Sequence, residues 1–419
     1  MLDLKNPIPR LITDPKELSE RIRGLNIYPY AGKNRASSHK VLEVLYDLFE
    51  LSPSRGTVIN DKRDVGFSGK CDIEYTGIRG LSFDDREITD AEKLAFVERI
   101  ESVGLEFADL INLAYDGELD VSVCGNVFIL YRESVVAGVK QVKIEILDPR
   151  HCYPLIVEND EAEAIMWTPQ MGDRHPKEVE IYNLYPFMSE DRTTVFHFKL
   201  GAKGVWGRPT DLMAFKWMVV EALIALRESK LANTDLAAKL LIIAEDEEAD
   251  SPIDGEEDDG VIEQSGLQKQ IISLRQIAGT KNEKTVPIAG LIYPFGGQRP
   301  HVEKLDISRD HQYLKAQTDI ASDYIYAANS WSKELVGFTQ AKGGIGSNMI
   351  NSLFKWKYVT KIKPRQEWWS TNLGKILNHM LDEKVGYSIV FPNRLEQFIE
   401  EHEDIDQPSR SENIGEADE

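Results

Sequence analysis

From Thr210 to Ile242 the sequence runs TDLMAFKWMVVEALIALRESKLANTDLAAKLLI without a glycine or a proline. This predicts one helix of about thirty residues, and at ~1.5 Å per residue a rod of about 45 Å, long for a globular core. DISRDHQYLKAQTDIASDYIYAAN, residues 306–329, predicts a second rod of about 36 Å. Its larger apolar and aromatic residues fall at 313, 314, 320, 324 and 325, a narrow stripe. Two such rods suit something elongated better than a pocket enzyme.

The segment between the rods is of another kind. Residues 245–259 carry ten acids and no base; then come a helical EQSGLQKQIISLRQIAG, a polar turn and the strand-like PIAGLIYPF. After the second rod, ELVGFTQAKGGIGSN (334–348) reads as a flexible glycine-bearing loop. A third helix starts near Met349 and meets Pro364, which kinks or restarts it. VGYSIVFPN predicts a late strand, and the acidic tail from about residue 400 is expected to be disordered.

The N-terminal half has its own rhythm. Helices are expected at 15–23 and 37–50, the second with Ser37 or Ser38 as N-cap. Residues 56–87, broken by glycines, read as loops with short strands. Thr89 caps one long amphipathic helix with apolar residues at Leu94, Val97, Ile100, Val103, Phe107, Leu110, Ile111 and Ala114. The period then changes. VSVCGNVFILYRE, VKQVKIEILDP, AIMWTP, EVEIYNLYP and TTVFHFKLG are short β-branched and aromatic runs between turn residues. They predict an antiparallel sheet with the preceding helix packed on it. No helices fall between them, which disfavours a βαβ nucleotide domain. The fold class is α+β, and 419 residues imply more than one domain.

The formal charge of −21 argues against a general nucleic-acid binder, because counterion release needs cations against phosphate. The one basic stretch is 333–375, with eight Lys/Arg against Glu334 and Glu367, whereas 396–419 carry ten acids and one base, Arg410. Three cysteines (Cys71, Cys124, Cys152) without CxxC spacing predict no disulfide framework and synthesis in a reducing compartment. There is no run of 18 apolar residues and no signal-peptide core near the start, so neither a membrane span nor secretion by that route is expected.

Motifs for chemistry are absent. In AKGGIGSN, Lys342 precedes the glycines and a helix precedes the loop, whereas a phosphate loop needs a strand, then glycines, then Lys. His151 and Cys152 in DPRHCYP are adjacent in an extended segment, point to opposite faces and cannot easily share one ion. HxxxH, HExxH, HxH, GxSxG and the calcium-loop pattern do not occur. Trp356, Tyr358, Trp368 and Trp369 are of a type that stacks on bases, but packing in a kinked helix accounts for them better. No enzyme, catalytic residue, metal or cofactor is expected.

The order of elements is more telling than any one of them. CGNVFILYRE is followed by IEILDPRHCYPL, then by VFHFKLGAKGVWGRPTDLMAFKWMVVEALIALRESKLANTDLAAKLLI. DISRDHQYLKAQTDIASDYIYAANSWSKELVGF, the glycine loop and the kinked helix come next. Over roughly residues 90–385 this order resembles tailed-bacteriophage portal proteins, the rings at a capsid vertex through which DNA passes. Trp206 stands where the family has Tyr, and NSWSKELVGF replaces a common Val-Pro-Pro run.

The resemblance implies a portal fold: a wing over 1–209, a first stem helix over 210–240, a small α/β clip over 241–305 and a second stem helix over 306–329. A tunnel loop over 330–348 follows, then a kinked helix and wing return over 349–385, and a small or absent crown with the acidic tail over 386–419. It implies a tunnel loop lining a DNA channel with Lys333, Gln340, Lys342, Gly343, Gly344, Gly346 and Asn348. The implied partners are eleven further copies in a twelve-subunit ring, double-stranded DNA passing without sequence reading, the terminase large subunit, capsid or scaffold protein, and neck or head-completion proteins. The implied location is the virion portal vertex, after synthesis in the host bacterial cytoplasm. The competing readings are a virion scaffold or adaptor without a channel, and a nuclease using carboxylates of 245–259.

Overall fold

The computed structural model describes residues 15–22, 35–75, 88–156, 162–171, 176–201, 205–233, 241–246, 289–294, 307–336, 347–382 and 387–394. Helices α1 (Pro15–Ile22), α2 (Arg35–Leu51) and α3 (Pro53–Phe67) come first. Because α2 begins at Arg35, Ser37 and Ser38 lie inside it and neither is its N-cap. Helix α3 replaces the loops and short strands expected from residue 56. Pro53 in its first turn presets helical φ where a missing amide costs nothing. Gly56 and Gly66 are there for close approach. A Cβ would sit 2.9 Å from the Phe49 carbonyl oxygen at one and 3.1 Å from Ile362 at the other.

Strand β1 (Asp72–Tyr75) follows, and then α4 (Asp90–Glu101), capped by Thr89 as its sequence predicts. Thr89 Oγ1 accepts from the Glu92 amide, and the Glu92 carboxylate accepts from the Thr89 amide. The single long helix expected from here is broken in two. Gly104 takes φ +82, and the Val103 carbonyl accepts a hydrogen bond from the Val142 amide. Leu94, assigned to the apolar face, is exposed. Helix α5 (Phe107–Cys124) then runs to Gly125 at φ +78, a left-handed C-terminal stop.

The strands are β2 (Asn126–Val136), β3 (Val139–Leu147), β4 (Cys152–Ile156), β5 (Ala162–Trp167), β6 (Glu180–Asn183) and β7 (Thr193–Lys199). All pair antiparallel, but they form two three-stranded sheets, β3-β2-β7 and β4-β5-β6, rather than one. A bridge between Leu184 and Val195 joins them. Strand β2 is buried on both faces, which explains its unbroken apolar run. Val127, Ile129 and Tyr131 enter a core with α4 and α5, whereas Phe128 and Leu130 enter another with α1 and α2.

Helix α6 (Phe215–Asn233) starts after a 3-10 turn, Leu212–Ala214, so the first rod is shorter than the span of 210–240 expected for it. At Leu241–Asp246 the backbone is not helix but strand β8, paired in parallel with β9 (Ala289–Pro294). The β-branched pair Ile242–Ile243 favours a strand once a partner is present. The second rod, α7 (Ile307–Ala328), has 22 residues, close to its expected extent. Trp217 near the start of α6 stacks on Tyr324 near the end of α7, at 4.5 Å and 5°, so the rods run antiparallel.

The last helices are α8 (Ser347–Lys357) and α9 (Lys363–Met380), joined by a π-helical turn at Tyr358–Ile362. The expected disruption at Pro364 takes this form: a widened turn just before the proline. Strand β10 (Tyr387–Val390) then pairs antiparallel with β1, returning the chain to its first third. The helical segment expected at 263–279 and the acidic tail beyond 394 lie outside the described residues.

Candidate functional site

The segments CGN, HF and WGR, far apart in sequence, meet at one point. Asn126 Nδ2 donates to the Cys124 carbonyl at 2.7 Å and to the Gly207 carbonyl at 3.2 Å. Its Oδ1 accepts from the Gly207 amide at 2.7 Å and lies 3.1 Å from His197 Nε2. Because that oxygen can only accept, Nε2 carries the proton. The His197 ring stacks on Phe128 at 4.2 Å, and Trp206 meets Phe128 edge-on. Burial and the charge on Lys199 push His197 down to about 3, so it is a neutral structural imidazole and not a general base. These motifs are architecture: they fix the point from which the chain enters α6.

A second buried network holds the rods to the first helices. Arg55 Nε donates to Asp211 Oδ2 at 2.8 Å, and its Nη atoms reach the carbonyls of Leu45 at 2.5 Å and Val123 at 2.8 Å. Nearly two turns into α6, Glu221 accepts from the hydroxyls of Ser52 and Ser54. The sequence reading missed this hub. Its one visible signal was Glu221, an acid among apolar residues on the face of α6 that also buries Met218 and Ala222.

The end of α7 is closed by a Schellman arrangement with Ser330 at φ +50. The Trp331 amide donates to the Tyr326 carbonyl at 3.0 Å and the Ser330 amide to the Ala327 carbonyl at 2.9 Å. Lys62 of α3 donates to the Asn329 carbonyl at 2.6 Å, and burial lowers its pKa to about 8. Trp331 Nε1 donates to Asp61 at 2.6 Å, and Lys357 of α8 to the Ser330 carbonyl at 2.8 Å. The start of the glycine-bearing loop is thus pinned to both α3 and α8.

Lys333, in a 3-10 turn just beyond, folds back onto α7: its ammonium pairs with Asp323 at 2.5 Å and lies 5.8 Å from the Tyr326 ring centroid. Gln340, Lys342, Gly343, Gly344 and Gly346 lie outside the described residues, and for Asn348 only the backbone, in the first turn of α8, is described. The aromatic group splits. Trp369 is fully buried and donates to Glu118 at 2.7 Å, Tyr358 is buried, and Trp368 packs edge-on against Trp369. Trp356 alone of the four is exposed, with the Lys357 ammonium 4.6 Å from its ring centroid.

A cleft of about 690 Å³ opens between α2, α5 and β3, with Glu50, Asp109, Asp116, Asp120 and Asp148 on its walls. Tyr46 donates to Asp120 at 2.5 Å, and burial lifts that carboxyl to about 8, so it is protonated at neutral pH. Arg150 pairs with Asp148 at 2.5 Å and covers the Tyr46 ring at 4.6 Å. Burial also pushes the Tyr46 phenol and the Cys152 thiol up and the His151 imidazole down. Among the described residues no three His, Cys, Asp or Glu side chains are placed to hold a metal ion. No helix among them is long and apolar enough to cross a membrane.

No protein-family model matches the chain, and no curated protein matches its sequence. Among solved structures it aligns with a chain from the neck of an empty gene transfer agent particle computed with C6 symmetry. That match has 11% identity over 86% of this chain and 87% of the other, at a TM-score of 0.49. A chain of the native gene transfer agent virion matches at 12% identity over 88% and 91%, with a TM-score of 0.45. One from the native neck computed with C12 symmetry matches at 10% over 86% and 87%, with a TM-score of 0.46. At these identities and scores the likeness carries no conclusion about function.

Proposed function

We propose that this chain is a portal subunit: one of several copies closing a ring at a capsid vertex, through which double-stranded DNA is packaged and ejected. The carrying observation is the antiparallel rod pair α6 and α7, with the parallel strands β8 and β9 between them in the sequence and the exit of α7, at Asn329 and Ser330, held by α3 and α8. Rods standing side by side about an axis make a rigid barrel, and a heterologous contact that closes by rotation makes a ring without a template. A net charge of −21 on every copy repels phosphate and keeps a duplex sliding, while a few loop cations such as Lys333 and Lys342 would hold it loosely. Contacts to DNA would be to the backbone alone. The strand pair would dock terminase and neck proteins, and the hydrolysis that drives DNA would belong to the terminase.

Negative-stain electron microscopy and mass photometry of the purified full-length chain test this. Rings with a central hole are expected. A chain that stays monomeric at every concentration, with or without capsid protein, would overturn the reading, and compact closed particles would favour a scaffold or adaptor.

A further inference from the structure

Two exposed apolar stripes flank one corner of the molecule. On α7, Tyr313 (65% exposed), Ile320 (40%) and Tyr324 (53%) line up with exposed Ala316 and Ala327. Their spacings of three and four residues are those of a seam between packed helices. On α8 and the π turn, Met349 (65%), Trp356 (56%) and Val359 (49%) form the second stripe. At ~1.5 Å per residue the stripes are about 17 and 15 Å long.

They cannot meet within one chain. Tyr326 of α7, Phe354 of α8 and Tyr358 of the π turn share a small core with Val58 of α3 and Trp331. Tyr324 lies two residues from Tyr326, and Trp356 two residues from both Phe354 and Tyr358. At ~100° per residue Tyr324 and Trp356 therefore point about 200° away from those core residues. Tyr324 lays one ring face on Trp217 of α6 and still leaves half its surface exposed, and neither stripe covers the other.

Their charges also differ. Exposed Lys355, Lys361 and Lys363 surround the α8 stripe. Asp319 and Asp323 flank the middle of the α7 stripe, with Lys333 on Asp323 and Lys315 one turn away. Tyr, Trp and Met are the side chains that interface centres favour.

We infer that the α7 stripe of one copy packs against the α8 stripe of the next, Tyr313, Ile320 and Tyr324 meeting Met349, Trp356 and Val359. The inference rests on the ring reading and assigns it the two unlike faces that a heterologous contact requires. It makes the helix after the glycine-bearing loop, and not the rods alone, a part of the joint between copies.

The test is cross-linking between separately made full-length chains. Ile320→Cys is mixed in turn with Met349→Cys, Trp356→Cys and Val359→Cys under mild oxidation, with wild type as background for the half-buried Cys71. All four replaced side chains are exposed, so folding is expected to survive. A disulfide-linked dimer is expected in at least one mixture and in none of the variants alone. Trp356→Glu is expected to weaken assembly on the order of tenfold or more. Rings that form but yield no cross-link in any mixture would overturn this pairing and leave the ring reading standing. Cross-linked open filaments would uphold the pairing and sink the ring, and a monomeric wild type would overturn both.

Discussion

At Gly125 the chain turns from α5 into β2 at φ +78, and a Cβ there would lie 2.5 Å from the Arg208 carbonyl carbon. Both the backbone conformation and the space demand glycine. Gly125→Ala is therefore expected to cost about 3 kcal/mol or more, read from the urea midpoint. His197 gives a pH signature at the same locus. Its folded pKa of about 3 lies below the ordinary 6.5, so the unfolded chain binds the proton first. Stability from this residue is complete above pH ~6.5 and is lost as pH falls toward 3, by about 3–5 kcal/mol. His197→Gln preserves a donor toward Asn126 and is expected to remove that part of the acid slope, seen by comparing urea midpoints of the two proteins across this range. The motifs were plain in the sequence, but their role was not: nothing in CGN, HF or WGR alone says that one asparagine joins all three.

At the scale of elements, what could be read was what is determined locally. Thr89 with Glu92 is a complete cap within four residues, and the short strands announce themselves by composition. Helix α3 was lost because Gly56 and Gly66 look like loop residues until Phe49 and Ile362 are brought beside them. The first rod was carried too far because LIIAED becomes a strand only when residues 289–294 arrive to pair with it. Pro364 foretold a disturbance but not its geometry. The π turn inserts a residue between two faces that must both be buried: Phe354 and Tyr358 in one core, Trp369 and Leu373 in another. Deleting the exposed Thr360 should remove the extra residue of the π turn and leave only the kink that Pro364 imposes between α8 and α9. The bonds of Gln366 to Gly66 and of Trp369 to Glu118 hold α9 in place, so α8 must rotate by ~100°. Phe354 would leave its core at a cost of about 3–5 kcal/mol, with helical circular dichroism unchanged. A drop in helicity would show that the turn is required for either helix to form.

Across the whole molecule, the Arg55 network decides whether the rods and the first helices behave as one body. Arg55 is fully buried and joins the end of α5, the middle of α2 and Asp211, which precedes the 3-10 turn leading into α6, while Ser52 and Ser54 bind Glu221 alongside. Nothing in the sequence marked Arg55, because a lone arginine near a proline and a glycine reads as a surface residue until three distant segments close over it. A buried ion pair of this kind contributes little against a well-packed apolar replacement, yet half of one is costly. Arg55→Met leaves the Asp211 carboxylate buried without its partner and is expected to cost about 3–5 kcal/mol. Asp211→Leu strands the guanidinium and is expected to cost a similar amount. The double variant removes both charges and leaves only the Leu45 and Val123 carbonyls short of a donor, about 1–3 kcal/mol each. Urea unfolding of the four proteins should therefore give a coupling of about 4 kcal/mol, the double variant being more stable than the sum of the single losses predicts. Additive losses would mean that the ion pair contributes nothing beyond the bonds of Arg55 to the two carbonyls.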